Sequence, residues 1–476
     1  MAINQETTRI NALYPLTPFD DGYSTSIFIT GWLVEGIVDV DVLAGALDRL
    51  TAKWRMLAGR LESYNQSTKK SWRIVIPLGD LPPNYQTYSL TTCPTIKPIA
   101  FPTILPSTVH SLPSSLFLHP DTPHSSNDWG NRPLTCWHIT RLCREGGAEP
   151  LTAIGFARPH GVFDGTGAKL IVNALISEIK GLSWTVPPVP KPGTNTNVVL
   201  KVLDKHKRSG AVQPVEFAGY TDLKTLGTMK LVFNQLRKRV FQDVQNHLVI
   251  LKKDMVDFLV ADVRQALHCQ GKISPRVSTG DCSCCVVMEV VLKAVYAHSA
   301  DADLRVHCTN LASFRGLLAQ YDPEIQNYPH NAFVPLPYPR FTVADLKSLP
   351  LHNLSYQLAS GRTSLSLAHV HSAEKTFKTA TFAAPLHPQT DETFFISNVS
   401  ATRILEADWT SIGAKRTICG FRYALTALGS PLTNAAYISG HLPDKSVLLD
   451  VILTRSRMQA LTAEVDRLEA LVAPKA

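Results

Sequence analysis

The sequence predicts an α/β protein of two or three domains, and three observations lead there. Its 476 residues exceed the roughly 100–200 that one domain usually holds. With 45% hydrophobic and 18% charged residues it has the composition of a globular chain, not of a disordered or fibrous one. In both halves, short runs of β-branched and aromatic residues are followed by apolar residues at three- and four-residue spacing, the pattern of strands leading into helices.

Residues 26–34 read as a strand, and Asp39 can cap the helix beyond it, which carries Leu43, Leu47, Leu50 and Trp54 on one face. Residues 77–133, rich in Pro, Ser and Thr, predict surface connections with short strands among them. Residues 151–157 make a second buried strand that turns at Pro159. Leu170, Ile171, Ala174, Leu175 and Ile179 then mark a helix whose start has the permissive backbone of Gly165, Thr166 and Gly167. Residues 186–193 are proline-rich and stiff, continue neither element, and make the best linker. The second half resumes with a basic stretch (Lys224, Lys230, Arg237, Lys238, Arg239), a strand at 247–251 and a helix that Asp254 can cap, striped by Phe258, Leu259, Val263 and Leu267. A strand at 446–454 and a helix with Met458, Leu461, Val465 and Leu468 aligned close the chain; barely two heptads are too few for a coiled coil. The expected division is an N-terminal domain at 1–185, a proline-rich and basic crossover at 186–225, and a C-terminal domain at 226–476. The strand near 392–400 is a candidate to pack on the N-terminal domain.

Several classes are excluded. No apolar run reaches about 18 residues without charge, so no membrane span or membrane partner is expected. Residues 1–9 lack a basic start followed by an apolar core, which argues against a secretory signal and for the cytoplasm. Nine cysteines, scattered from Cys93 to Cys419, are odd in number and fit a reduced compartment better than a disulfide framework. Cys282, Cys284 and Cys285 run into a buried helix at 286–292 and read as small core thiols. His369 and His371 would share a face on a strand but lack a third ligand, so no metal is expected. A net charge of +8 biases the surface toward anionic partners, but the cations are dispersed and no nucleic-acid motif is present, so no nucleic-acid partner is expected.

The chemistry lies at residues 158–167. His160 and Asp164 stand four positions apart on the turn between the second strand and its helix, a connection held between two rigid elements. An imidazole, with an ordinary pKa of about 6.5, can take a proton from a hydroxyl and return it to a leaving group. Asp164 could instead lock the loop by pairing with a cation or capping backbone N–H groups. Such a pair also arises by chance, and the pattern alone leaves purely structural roles open for both residues.

Four separated segments resemble the BAHD superfamily of CoA-dependent acyltransferases, particularly its divergent fungal branch in secondary metabolism. Tyr14 to Asp20 and Leu57-Ala58-Gly59-Arg60-Leu61 look like the family's LTPxD-type and LAGRL segments, and His160 to Gly165 matches HxxxDG. Asn327 to Ala332, with Arg315 upstream, resembles its YxGN segment. The family's DFGWG element is degraded here to Asp408-Trp409-Thr410-Ser411-Ile412-Gly413-Ala414-Lys415, with one extra residue.

The resemblance implies two similar mixed-sheet α/β domains of the chloramphenicol-acetyltransferase-like type around a central solvent channel, in a monomer. It implies an acyl-CoA-dependent O-acyltransferase, with acetyl-CoA as the expected cosubstrate, no bound cofactor, and a hydroxylated small-molecule acceptor such as a terpenoid, meroterpenoid, alkaloid or polyketide. His160 would be the general base and Asp164 the residue that holds the loop; no cysteine need be a nucleophile. Gly165, Ser397 and Asn398 would line the channel, Ser397 or Asn398 as a donor to the developing oxyanion. CoA's phosphates need cations, for which Lys252, Lys253, Lys415 and Arg416 are candidates. Ser278 and Thr279 match a segment near the pantetheine arm, at a helix N-terminus that ordinary capping also explains. Asp408 would be structural, paired with Arg315 or another arginine. The competing readings are N-acylation, a member of this fold that has lost CoA use and performs a cyclisation or rearrangement, and a non-catalytic binding protein.

Overall fold

The computed structural model describes residues 10–473 apart from 67–68, 103, 126–127, 145–148, 194–195, 209, 211–214, 216, 273–280, 428 and 431. Strand Ile27–Glu35 reads as a continuous apolar run because it is covered on both faces. It sits in a six-stranded sheet ordered Arg416–Leu425, Ile27–Glu35, Leu151–Pro159 and Cys136–Arg144, with Ser89–Thr92 and Lys97–Ile99 both paired to Cys136–Arg144. Helix Val40–Lys53 follows its first strand; Asp39 caps it through Asp41 N–H (2.9 Å) and Val42 N–H (3.1 Å), and Leu43, Leu47 and Leu50 are buried.

The second sheet has eight strands. Its order is Phe333–Pro335, Arg305–Ser313, Glu392–Asn398, Ala435–His441, Val447–Thr454, Val244–Leu251 and Thr108–His110, with Arg340–Thr342 also on Arg305–Ser313. Helices Lys253–Cys269, Asp281–Tyr296 and Arg455–Val472 bury Met255, Val263, Val287, Val291, Leu461 and Val465 in its core. These two mixed sheets with their own helices form the bulk of the α/β architecture, beside a three-stranded sheet of Asn11–Pro15, Lys69–Pro77 and Arg60–Gln66 and a two-stranded one of Thr221–Asp222 and Ala383–Ala384.

Each sheet borrows a strand from the other half of the chain. Arg416–Leu425 lies beside Ile27–Glu35 along its whole length, and Thr108–His110 pairs with Val244–Leu251. The strand near 392–400, expected to pack on the N-terminal domain, pairs with Arg305–Ser313 and Ala435–His441 inside the C-terminal sheet, and Val399 at its end lies against Gly165 of the N-terminal half. The segment that crosses is the one after the Asp408 loop. A strand's own pattern records that it is buried, not which sheet buries it.

Two further expectations change. Asp254 does not cap its helix: Lys252 is the residue before the first turn, and Asp254 lies within it. His369 and His371 stand on helix Leu367–Thr379, not on a strand, and their two-residue spacing no longer shares a face. His371 packs against His206 and Glu374. Among the described residues no group of three or more His, Cys, Asp or Glu is placed to hold a metal, and no helix is long and apolar enough to cross a membrane.

Candidate active site

The HxxxDG turn is built by one cross-strand rung and a local fold-back of the backbone. Pro159 pairs with Ile27 in the sheet, His160 N–H adds one more rung to Ser26 O (3.0 Å), and the N–H groups of Val162 and Phe163 fold back onto Pro159 O (3.0 and 3.2 Å). Asp164 then caps helix Gly165–Lys180, its Oδ1 accepting from the N–H groups of Thr166 and Gly167 at 3.0 Å each. Gly167 is required by proximity: a Cβ there would lie 1.9 Å from the Pro329 carbonyl oxygen.

The distant segments converge on this turn. Arg315 is buried and donates through Nη2 to both Asp164 oxygens (3.0 and 2.9 Å), while its Nε reaches Tyr328 O (2.9 Å) and Nη2 also reaches His330 O (2.6 Å). Asn331 donates from Nδ2 to His160 O (2.7 Å) and to Asp20 Oδ1 (2.9 Å). Asp20 in turn accepts from Thr17 N–H and Oγ1, both at 2.8 Å. Burial pushes the Asp20 carboxyl up to about 8, against the pull of those donors. Thr17, Asp20, Asn331 and His160 thus form one hydrogen-bonded set and Asp164 with Arg315 a second, and the backbone of residues 330–332 joins the two behind the turn.

Asp164 is fully engaged with the helix and Arg315, and no hydrogen bond joins it to the His160 ring. The ring sits among Tyr23, Phe28 and Phe333, with centroids at 4.7, 5.1 and 6.1 Å. Nδ1 is enclosed against the turn's own backbone without a hydrogen bond of ordinary geometry, which leaves Nε2 as the nitrogen toward the cavity. Burial, then the charges of Arg158 and Arg422, push the imidazole down to about 3. It is therefore neutral throughout the physiological range, with a free lone pair.

The cavity His160 faces has a volume of about 640 Å³ and lies between the two sheets. Phe28, Arg158, Gly165, Asn310, Ser397, Asn398 and Arg422 are among its walls. Ser397 and Asn398 reach it from the end of strand Glu392–Asn398. Asn398 Oδ1 accepts from Ser400 N–H (3.0 Å) and Oγ (2.8 Å), which turns its Nδ2 donors away from Ser400.

Other expected residues are not brought here. Lys252 pairs with Glu469, Lys253 with Asp257, Lys415 with Glu149 (2.9 Å) and Arg416 with Glu35 (2.7 Å); none borders the cavity. Arg416 pairs with Glu35 at the opposite end of the strand from Ile27. Eight residues at ~3.3 Å each put it about 26 Å along the sheet from the turn. Ser278 and Thr279 lie outside the described residues. Asp408 does not meet Arg315: it pairs with Lys180 (2.5 Å) and accepts from Thr410 N–H and Oγ1 (3.0 and 2.7 Å). The reason is that Arg315 is already committed to Asp164. Trp409, packed on Trp32 and Trp137, anchors the loop in the N-terminal core.

Arg158 and Arg422 were not anticipated. Arg158 lies two residues before His160 on a strand that otherwise reads apolar, a signal present in the sequence. Burial, joined by the charge of Arg422, pushes Arg158 down to about 9, and burial pushes Arg422 down to about 10. Both stay charged at neutral pH.

No protein-family profile and no curated protein sequence matches this chain. Solved structures do. TRI101 of F. sporotrichioides, complexed with coenzyme A and T-2, superposes with a TM-score of 0.61 at 15% identity, over 94% of this chain and 97% of that one. TRI101 of F. graminearum with coenzyme A and deoxynivalenol gives 0.64 at 12% identity, over 95% and 97%. Vinorine synthase gives 0.56 at 14% identity, over 96% and 93%. The likeness spans nearly the whole of this chain, and its fold is the two-domain, BAHD-like α/β fold.

Proposed function

We propose that the protein is an acyl-CoA-dependent O-acyltransferase that esterifies a hydroxyl of a small secondary metabolite, with acetyl-CoA as donor. The observation that carries this reading is His160: a neutral imidazole presented by a braced strand-to-helix turn to a cavity between two domains. A fold shared with structures that hold coenzyme A supports the choice of donor.

In this reading His160 Nε2 takes the proton of the acceptor hydroxyl as its oxygen attacks the thioester carbonyl. The tetrahedral intermediate expels the CoA sulfur, the C–S bond breaks, and the imidazolium returns the proton to the thiolate. No acyl-enzyme forms, so no cysteine takes part. Asp164 keeps the turn in place and touches neither substrate. Ser397 or Asn398 would donate to the oxyanion; losing one such donor typically lowers kcat by ~10²–10³-fold. Desolvation keeps the imidazole in the unprotonated form a base needs, while the same shift lowers its proton affinity, which serves catalysis best when the pKa lies near the working pH.

The test is to incubate the purified chain with acetyl-CoA and longer acyl-CoAs against hydroxylated terpenoid, polyketide and alkaloid acceptors. Free thiol and the product mass are followed together. Release of thiol matched by an acyl mass gain on the acceptor is expected; a mass-neutral change of the acceptor without thiol release would instead show a rearrangement.

A further inference from the structure

Arg158 and Arg422 are 2% and 5% exposed, yet neither is in an ion pair with a described carboxylate. Arg158 makes one side-chain hydrogen bond, from Nη1 to Thr30 Oγ1 (3.2 Å), and its Nε is enclosed without a partner; so is Nη1 of Arg422. Both guanidinium groups lie over the Phe28 ring, at 5.5 and 4.7 Å from its centroid, and both line the cavity. The same ring meets His160 edge-on at 5.1 Å. Asp450 is the carboxylate of this neighbourhood, but it takes only the backbone N–H of Arg422 (3.3 Å) and the Ser439 hydroxyl (2.5 Å), and burial raises it to about 7. Two buried cations beside the reacting nitrogen are therefore left without full neutralisation. Buried charges are normally paired, and guanidinium forks match carboxylates.

Resting on the acyltransferase reading, we propose that Arg158 and Arg422 form a subsite for a carboxylate of the substrate, carried either by the acceptor or by the acyl group. The phosphates of CoA do not suit this place: with the thioester carbon at His160, they lie a pantetheine arm away. An anion seated between the arginines would also offset the two charges that depress the imidazole, so occupancy and basicity rise together.

The test measures protection of the full chain against thermal unfolding by malonyl-CoA relative to acetyl-CoA, and by hydroxybenzoates relative to their methyl esters. Turnover is followed where it occurs. Better protection by the acid is expected in one arm, malonyl-CoA pointing to the acyl group and hydroxybenzoate to the acceptor. Arg158→Met and Arg422→Met should each weaken binding of the acid by about 10–100-fold, the range for a lost hydrogen bond to a charged group, with the neutral probe unaffected. No preference for either acid, or an unchanged preference in both variants, would overturn the subsite. So would an equal fall of kcat with acids and neutral esters, which would place the guanidinium groups at the oxyanion. Acid-selective binding with no thiol release would uphold the subsite and sink the acyltransferase reading.

Helix Thr225–Phe241 buries none of its residues. Its polar side meets the body, through Lys238 to Glu392 and Gln235 to Thr433. Its apolar side faces out: Leu226, Met229, Phe233, Leu236 and Val240 recur at spacings of three and four, and Leu226, Phe233 and Val240 are 79%, 66% and 72% exposed. Lys230 and Arg237 flank one edge of the stripe and Arg239 the other, and the helix contains no acidic residue. We infer that this helix lies on an anionic lipid surface, its stripe in the headgroup boundary and its cations toward the phosphates.

Flotation with vesicles of phosphatidylcholine, alone or mixed with phosphatidylserine, tests it. Binding to the mixed vesicles alone, weakened by salt, is expected. It should be lost in Phe233→Asp and reduced about fivefold or more in Lys230→Gln. These exposed substitutions leave the fold intact. Absence of binding, or binding unchanged in Phe233→Asp, would overturn the inference, as would a dimer in sedimentation that Phe233→Asp dissolves.

Discussion

Replacing Asp164 should destabilise the chain more than it alters any chemistry directly. Its carboxylate caps two N–H groups of helix Gly165–Lys180, holds Arg315 through both oxygens, and takes a longer bond from Ala332 N–H (3.3 Å). Loss of the cap alone costs ~0.5–2 kcal/mol. Leaving Arg315 buried without its counterion costs ~3–5 kcal/mol. The two overlap because they share one side chain, so Asp164→Ala should cost about 4 kcal/mol. Asp164→Asn keeps an acceptor for the cap, and Arg315 retains Tyr328 O and His330 O, so about half of that is expected. Urea unfolding followed by tryptophan fluorescence and far-UV circular dichroism measures this, provided the two transitions coincide. The double variant Asp164→Ala/Arg315→Ala should be less damaged than the sum of the single variants. A cost of Asp164→Ala below about 1 kcal/mol, far short of the ~3–5 expected for a broken buried pair, or full additivity in the cycle, would refute the bracing role.

The pH dependence follows from histidines that the fold keeps neutral. Burial lowers His160 to about 3 and His307 and His330 to about 4. Between ~6.5 and those values the unfolded chain binds protons that the folded chain does not, so stability should be full above ~6.5 and fall as pH drops toward ~4, as a midpoint series in urea would show. For the same reason kcat/KM should show no acid limb near 6.5. Gly167→Ala, whose Cβ would overlap the Pro329 carbonyl, should unfold the chain or cost more than ~2 kcal/mol, an overpacking effect readable in the same melts. In the degraded loop, Trp409→Ala should cost ~3–5 kcal/mol. Asp408→Asn, which breaks a largely exposed pair with Lys180, should cost about 1 kcal/mol or less in the same urea series.

What the sequence disclosed was local. Asp39 and its apolar stripe marked a helix, residues 26–34 a doubly covered strand, and the glycines after Asp164 a helix start, because capping and periodicity act within a few residues. The partners of Asp164 and Asp408 were not legible. Arg315 lies 151 positions from Asp164, and Lys180 lies 228 from Asp408. The cations expected to meet CoA illustrate the same limit. Lys252, Lys253, Lys415 and Arg416 each find a carboxylate on the folded surface, and only the sheet register reveals that Arg416 stands at the far end from His160. The crossing of Arg416–Leu425 is global as well, and it is what brings Arg422 to the cavity. His369 and His371 show the ambiguity of short patterns, in which two residues fit a strand until the helix that contains them is seen.

His160 is the proposed base. His160→Ala keeps the turn's bonds, since His160 meets Ser26 and Asn331 through its backbone alone. The deciding measurement is thiol release from acyl-CoA by wild type and His160→Ala, with an accepted hydroxyl substrate and matched circular dichroism. A loss of ~10²–10⁴-fold in kcat with an unaltered fold is predicted. Equal thioester consumption by the two proteins would contradict it.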